Sequence, residues 1–138
     1  MPAGFWGPNL KDRYWLTPNG VYAPLNEEFG FDFDPCPYPK PDGYDSLSVE
    51  WGNMNYVNPP FRRADGNGVG PTAFARKAIE EKKRGKSSVL LLPVQSYVNL
   101  LLEAGAELRS LGRVRWIEVE TGKECPHPSP TCCFVLRA

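Results

Sequence analysis

Met54-Asn55-Tyr56-Val57-Asn58-Pro59-Pro60-Phe61 decides the fold. Its first four residues alternate and carry an aromatic and a β-branched side chain, which predicts the end of a buried strand. Two consecutive prolines cannot extend a sheet, because neither donates to the ladder and each fixes φ. The strand must therefore stop at Asn58, and its carboxyl end then presents an amide, two rigid carbonyls and an aromatic ring. In open α/β sheets ligands bind at that end. The Asn58 side chain and the Pro59 carbonyl can both accept hydrogen bonds from one exocyclic NH2 group, and Phe61 offers a stacking face. The plain alternative is a strand followed by a proline-rich turn with Phe61 in the core, and four residues alone do not choose between the two.

Working outward, residues 1–13 read as an irregular arm rich in Gly, Pro and aromatics, and residues 14–138 as a single domain. Thr17-Pro18 predicts a helix start, with Thr17 as N-cap and Pro18 at the first helical position, running to about Glu28 and stopping at Gly30. Phe31 to Asp34 alternates apolar and acidic residues, a short strand ending in a carboxylate. Prolines at 35, 37, 39 and 41 then demand an extended chain. Beyond the central strand lies a glycine-rich loop, 62–71, followed by a helix over 72–84 with Phe74, Ala75, Ala78 and Ile79 inward and charges elsewhere. Ser88 to Pro93 is a continuous apolar run typical of a buried parallel strand. A further helix is expected over 96–110 with Leu100, Leu101, Ala104 and Leu108 inward, then strands over 113–119 and 131–136. This order predicts an α/β fold with a mostly parallel sheet and a terminal antiparallel strand.

The 138 residues carry no formal net charge, so overall charge does not point to nucleic acid. No apolar run approaches the roughly 20 residues of a membrane span. Met1 to Asn9 lacks the features of a signal peptide, so a cytoplasmic protein of a bacterial or phage-infected cell is expected, with no membrane partner. The four cysteines, Cys36, Cys125, Cys132 and Cys133, suggest no disulfide framework. Cys125-Pro126-His127 followed by Cys132 does not match zinc-knuckle spacing, so no metal is expected.

Three polar stations, Asp34, Asn58 and Gln95, fall at or near carboxyl ends of predicted strands. With Asp34-Pro35-Cys36, Asp45-Ser46-Leu47 and Trp51 ahead of the Asn58-Pro59-Pro60-Phe61 box, the chain resembles the phage- and prophage-type DNA N6-adenine methyltransferases. Tyr14-Trp15-Leu16-Thr17-Pro18 resembles that family's Trp-x-Thr-Pro element, and Leu91-Leu92-Pro93 and Gly112-Arg113-Val114 resemble its later strand motifs. The resemblance spans roughly residues 14–136.

What the resemblance implies is a Rossmann-like fold that uses S-adenosylmethionine (SAM). Asp34, with Pro35 beside it, would bind the methionine amino group or a nearby polar part of SAM, and Asp45 the adenine amine or ribose. Trp15, Thr17 and Pro18 would line the methionine end. Asn58 and the Pro59 carbonyl would hold the target amine, Pro60 would stiffen the box, and Phe61 would stack on a base flipped from duplex DNA. Two departures stand out. Pro-Cys-Pro-Tyr-Pro replaces a glycine-rich turn after Asp34, and only about 20 residues separate the two strands where a complete fold of this type would place two more strands and two helices. A reduced form is expected.

Charge is polarised. Residues 60–90 hold a balance of +5, and residues 26–50 a balance of −6. Arg62, Arg63, Arg76 and Lys77 follow the box where phosphates of an entering strand would lie, whereas Lys82 to Lys86 read equally well as a solvated helix face. N4-cytosine methylation uses nearly the same box, and a SAM- or DNA-binding module without catalysis is the rival of another class. A 5-methylcytosine mechanism is excluded by the absence of a cysteine from the box. A short recognition sequence or a homodimer would suit so small a chain.

Overall fold

The computed structural model describes residues 15–37, 41–59, 70–93, 95, 97–119, 121–126 and 129–138. The elements are β1 (Trp15–Leu16), α1 (Asn19–Phe29), β2 (Met54–Val57), α2 (Pro71–Lys82), β3 (Ser87–Leu92), α3 (Val98–Glu103), β4 (Glu107–Val114), β5 (Ile117–Glu118) and β6 (Ser129–Leu136). A four-stranded mixed sheet runs β2-β3-β6-β4, and β1 and β5 form a separate antiparallel pair. Among the four strands, β2 and β3 pair in parallel, and β6 pairs antiparallel with both β3 and β4. By neighbour contacts the sheet is thus mostly antiparallel, contrary to expectation. By direction, β2, β3 and β4 point one way and the last strand opposes them from between β3 and β4.

Phe31 to Asp34 does not form a full strand. It makes one parallel bridge, Phe33 to Asn55, with Asp32 N donating to Met54 O at 3.0 Å and Tyr56 N to Phe33 O at 2.9 Å. This segment lies along the outer edge of β2, and no helix intervenes between the two among the described residues.

Side-chain alternation along the strands splits the core in two. Val57, Leu90, Leu92, Phe134 and Leu136 face α2 and α3, packing on Phe74, Ala75, Ala78 and Leu101. Tyr56, Val89, Leu91, Cys133 and Val135 face the other way, onto Leu25 of α1 and Trp116. Helices cover both faces, the layering an α/β sequence pattern demands.

Three sequence expectations need correction. Pro18, not Thr17, is the N-cap of α1, and no side chain caps that helix. The helix expected over 96–110 ends at Glu103; the chain turns at Gly105 (φ 95°), and 107–114 pair with β6 instead. The leucine spacing continued past this turn only by coincidence, and Leu108, expected inward, lies 43% exposed on β4. The face of α2 also holds a surprise: Glu81, seven residues after Phe74, is fully buried among the apolar positions. The 88–93 strand and the helix ending at Gly30 lie close to where the sequence places them.

Candidate functional site

The carboxyl ends of β2, β3 and β4 and the start of β6 lie at one end of the sheet, as the register pairs Leu92 with Cys132 and Val114 with Ser129. Asp34, one residue beyond the parallel Phe33–Asn55 bridge, lies beside β2 level with Tyr56, two residues short of Asn58. Asn58 follows β2 directly and is half-buried, and Pro59 behind it is buried. Pro60, Phe61, Arg62 and Arg63 lie outside the described residues, as does the Trp15 side chain; the Trp15 backbone pairs with Glu118 in β1–β5.

Side chains at i and i+2 on a strand share a face, so Tyr56 sits one step below Asn58. Its buried hydroxyl is hydrogen-bonded to the Thr17 hydroxyl. That contact draws the Trp15–Pro18 segment, and with it the amino end of α1, onto the residue two before Asn58. Burial pushes the Tyr56 hydroxyl far above its ordinary range; the Thr17 bond opposes this, and the charge of Asp34 adds to it.

Asp34 accepts one hydrogen bond among the described residues, from the Cys36 backbone N–H at 2.9 Å, across Pro35. The two-residue reach is an Asx-type turn that redirects the chain after the bridge. Asp34 is exposed at its rim, yet crowding by the surrounding chain raises its carboxyl above the ordinary value, against the pull of that N–H. Cys36 is buried, and burial pushes its thiol well up, with the Asp34 charge adding.

Asp45 opens an exposed turn: its carboxylate accepts from Leu47 N at 3.1 Å, and its carbonyl from Ser48 N. Asp45 and Asp34 meet electrostatically at Tyr44, whose hydroxyl is raised by burial first and then by Cys36, Asp34 and Asp45. Asp34 acts in the same way on Tyr56, to which Thr17 is tied through its hydroxyl. Sequence reasoning missed Tyr44 and the Tyr56 hydroxyl, although the even spacing of Tyr56 and Asn58 was a usable signal for the second.

The basic residues behave unevenly. Lys77 pairs with Glu81 at 3.0 Å, is largely shielded, and sits 5.9 Å from the Trp51 ring centre. Arg84 also pairs with Glu81, and Lys83 with Glu80 at 3.5 Å. Lys86 binds Glu50 at 3.0 Å and the Trp51 carbonyl at 2.8 Å. Arg76 is exposed on α2 with no ion pair among the described residues. The acidic run is also partly occupied: Glu28 grips Arg109 through both oxygens at 2.9 Å, and Asp32 accepts from Met54 N and Asn53 N at the start of β2.

The four cysteines are free thiols. Among the described residues, no group of three or more His, Cys, Asp or Glu side chains is placed to hold a metal ion, and no helix is long and apolar enough to cross a membrane. No protein-family model, curated protein or solved structure matches the chain.

Proposed function

We propose that this protein transfers the methyl group of SAM to the exocyclic N6 amine of adenine in DNA, on a reduced Rossmann-like methyltransferase fold. The observation that carries the reading is the convergence at one sheet end of three segments far apart in sequence. Thr17-Pro18 is tied to β2 through Tyr56, and Asp34 stands beside β2 through the Phe33–Asn55 bridge. Asn58-Pro59 closes the same strand. The antiparallel last strand and the missing helices between Asp34 and β2 fit the reduced form that the sequence resemblance implies.

The chemistry follows from these groups. SAM carries a sulfonium and an ammonium, and a carboxylate such as Asp34 or Asp45 favours cations. The amino end of α1, with its unsatisfied N–H groups, favours the methionine carboxylate. Adenine N6 is a poor nucleophile because its lone pair is delocalised into the ring. Two acceptors on its hydrogens, the Asn58 side-chain oxygen and the Pro59 carbonyl, draw the nitrogen toward sp3 and aim the lone pair at the methyl carbon. The N–C bond forms as the S–C bond breaks, and the amine proton leaves to solvent after transfer. Catalysis is then positioning and electrostatics, with no covalent enzyme intermediate. Arg76 and the Arg62–Arg63 pair are the cations best suited to phosphate. Lys77, engaged with Glu81, contributes chiefly to the fold.

The test is incubation of the protein with methyl-labelled SAM and duplex DNA, followed by nucleoside mass spectrometry, with Asn58→Ala alongside. Labelled N6-methyladenine should appear and fall about 100- to 1000-fold in the variant, the usual loss for one positioned polar group. Labelled N4-methylcytosine would keep the mechanism and change the base. SAM binding without any label on DNA would overturn the reading in favour of a binding module.

A further inference from the structure

One strand along from Asn58, at the same sheet end, a cavity of about 640 Å3 opens over the end of β3, the bulge of β4 and the start of β6. The bulge lies between Ser110 and Gly112, and Gly112 takes φ 73°, a left-handed conformation that a larger residue would resist. The kink shifts the register by one residue, and pairing then resumes with Gly112 opposite Thr131 and Arg113 opposite Pro130. The walls include Pro93, Pro130 and the edge of Trp116, and the polar groups include Gln95, Ser110 and Arg113. No carboxylate lines it among the described residues. The Arg113 guanidinium is exposed, with no ion pair or side-chain hydrogen bond among those residues. The Ser110 oxygen accepts from Gly112 N at 3.1 Å, which leaves its proton to donate.

We infer that this cavity is a nucleotide subsite: Arg113 and the Ser110 hydroxyl take a phosphate, and the base lies against the proline rings with its edge toward the Gln95 amide. A guanidinium in a carboxylate-free cavity calls for an anion, and its planar fork matches phosphate. The volume exceeds what a bare phosphate fills and falls in the usual range for small-molecule sites. The apolar walls suit a planar ring, and an amide side chain can pair with a base edge. The choice of a nucleotide over other organic anions rests on the nucleic-acid reading above. The carboxyl end of the sheet then divides into an acidic half for SAM around Asp34 and a cationic half for nucleotide around Arg113, with Asn58 between them.

The experiment is calorimetric titration of the full chain with deoxyadenosine monophosphate, deoxyadenosine, inorganic phosphate and a short single-stranded oligodeoxynucleotide, repeated across salt concentrations. The monophosphate should bind about tenfold tighter than the nucleoside and tighter than phosphate alone, and Arg113→Ala should erase the preference over nucleoside. For the oligonucleotide, Arg113→Ala should reduce the slope of log affinity against log salt by about 0.7, the value for one lost phosphate contact on a single strand. Arg113→Lys should restore the slope. Lys83→Ala, on the turn at the opposite end of the sheet, should leave it unchanged. Equal binding of nucleoside and nucleotide, or an unchanged salt slope in a folded Arg113→Ala, would overturn the inference. Arg113-dependent binding of the free nucleotide without the oligonucleotide would support the subsite and assign it to a free nucleotide rather than a strand. SAM binding and label transfer measured on the same preparations separate the two proposals. Arg113-dependent binding without methyl transfer leaves the subsite standing and removes the methyltransferase. Methyl transfer with an unaltered KM for DNA in Arg113→Ala does the reverse.

Discussion

At the amino ends of β2 and β3, Glu81 and Asn55 are fully buried and completely partnered. Glu81 accepts from Trp51 N, Lys77 and Arg84, and Asn55 accepts from Gly52 N while donating to the Gly52 and Ser87 carbonyls. Toward the carboxyl end, Asp34 is exposed and accepts one N–H among the described residues, and crowding by the surrounding chain raises its carboxyl. The difference separates polar groups that hold the fold from polar groups that the fold holds ready. A buried, satisfied network fixes a unique arrangement. A carboxylate left short of partners in a crowded site is a candidate for binding something else.

The largest expected effect is at the first end. Glu81→Ala strands Lys77 and the Trp51 N–H and should cost about 3–5 kcal/mol in chemical denaturation. A loss under about 1 kcal/mol would show that the knot behaves as a surface pair. Burial works to raise the Glu81 carboxyl, but its hydrogen bonds from Trp51, Lys77 and Arg84 hold it below the ordinary 4.5. Its folded value is depressed, so its contribution is complete above about pH 4.5 and is lost as pH falls through the folded value. Glu81→Gln should flatten that acid limb of the stability profile. Next comes Asn55→Ala, which unpairs backbone groups of Gly52 and Ser87 and should cost about 1–3 kcal/mol. If Asn55→Ala instead kept its stability, the contrast with Asn58, whose variant is expected to lose methyl transfer rather than fold, would fail. The smallest effect sharpens the comparison by its exception. The Ser88 hydroxyl is buried at the structural end without a hydrogen bond among the described residues. Ser88→Ala should be neutral or stabilising by up to about 1 kcal/mol, measured by thermal melting.

The strand-then-proline logic at Asn58, the apolar run of β3 and the Gly30 stop were legible because each is dictated locally. Pro59 and Pro60 forbid ladder pairing whatever surrounds them. The helix expected through Leu108 was not corrected by its periodicity, because leucines at helical spacing also suit an edge strand once Gly105 reverses the chain. Glu81 falls among the charges outside the apolar stripe in sequence, and nothing local announces that Trp51, thirty residues earlier, supplies its backbone donor. Within the candidate site, Asp34, Thr17 and Asn58 are visible as residue types at strand and helix ends, and Asp45 enters only through the resemblance. Their link through Tyr44 and Tyr56 depends on tertiary contacts. Arg113 stands out in sequence only as part of a strand motif, since the β4 bulge beside it has no signal stronger than one glycine.

Two aspartates two residues apart test the central claim most directly. Asp32 accepts from Met54 N at 2.9 Å, and these backbone bonds, chiefly that one, lower its carboxyl pKa. Asp34 has the opposite shift: its folded value is raised above the ordinary 3.8, so its ionised form detracts from stability above that pH. Calorimetric titration of SAM into wild type, Asp32→Asn and Asp34→Asn, with a melting curve for each, is the measurement. The account predicts that Asp34→Asn melts at or above the wild-type temperature and loses at least about tenfold in SAM affinity. Asp32→Asn should lose about 1 kcal/mol of stability and bind SAM normally. Wild-type SAM affinity in Asp34→Asn, or no SAM binding by any of the three, would contradict it.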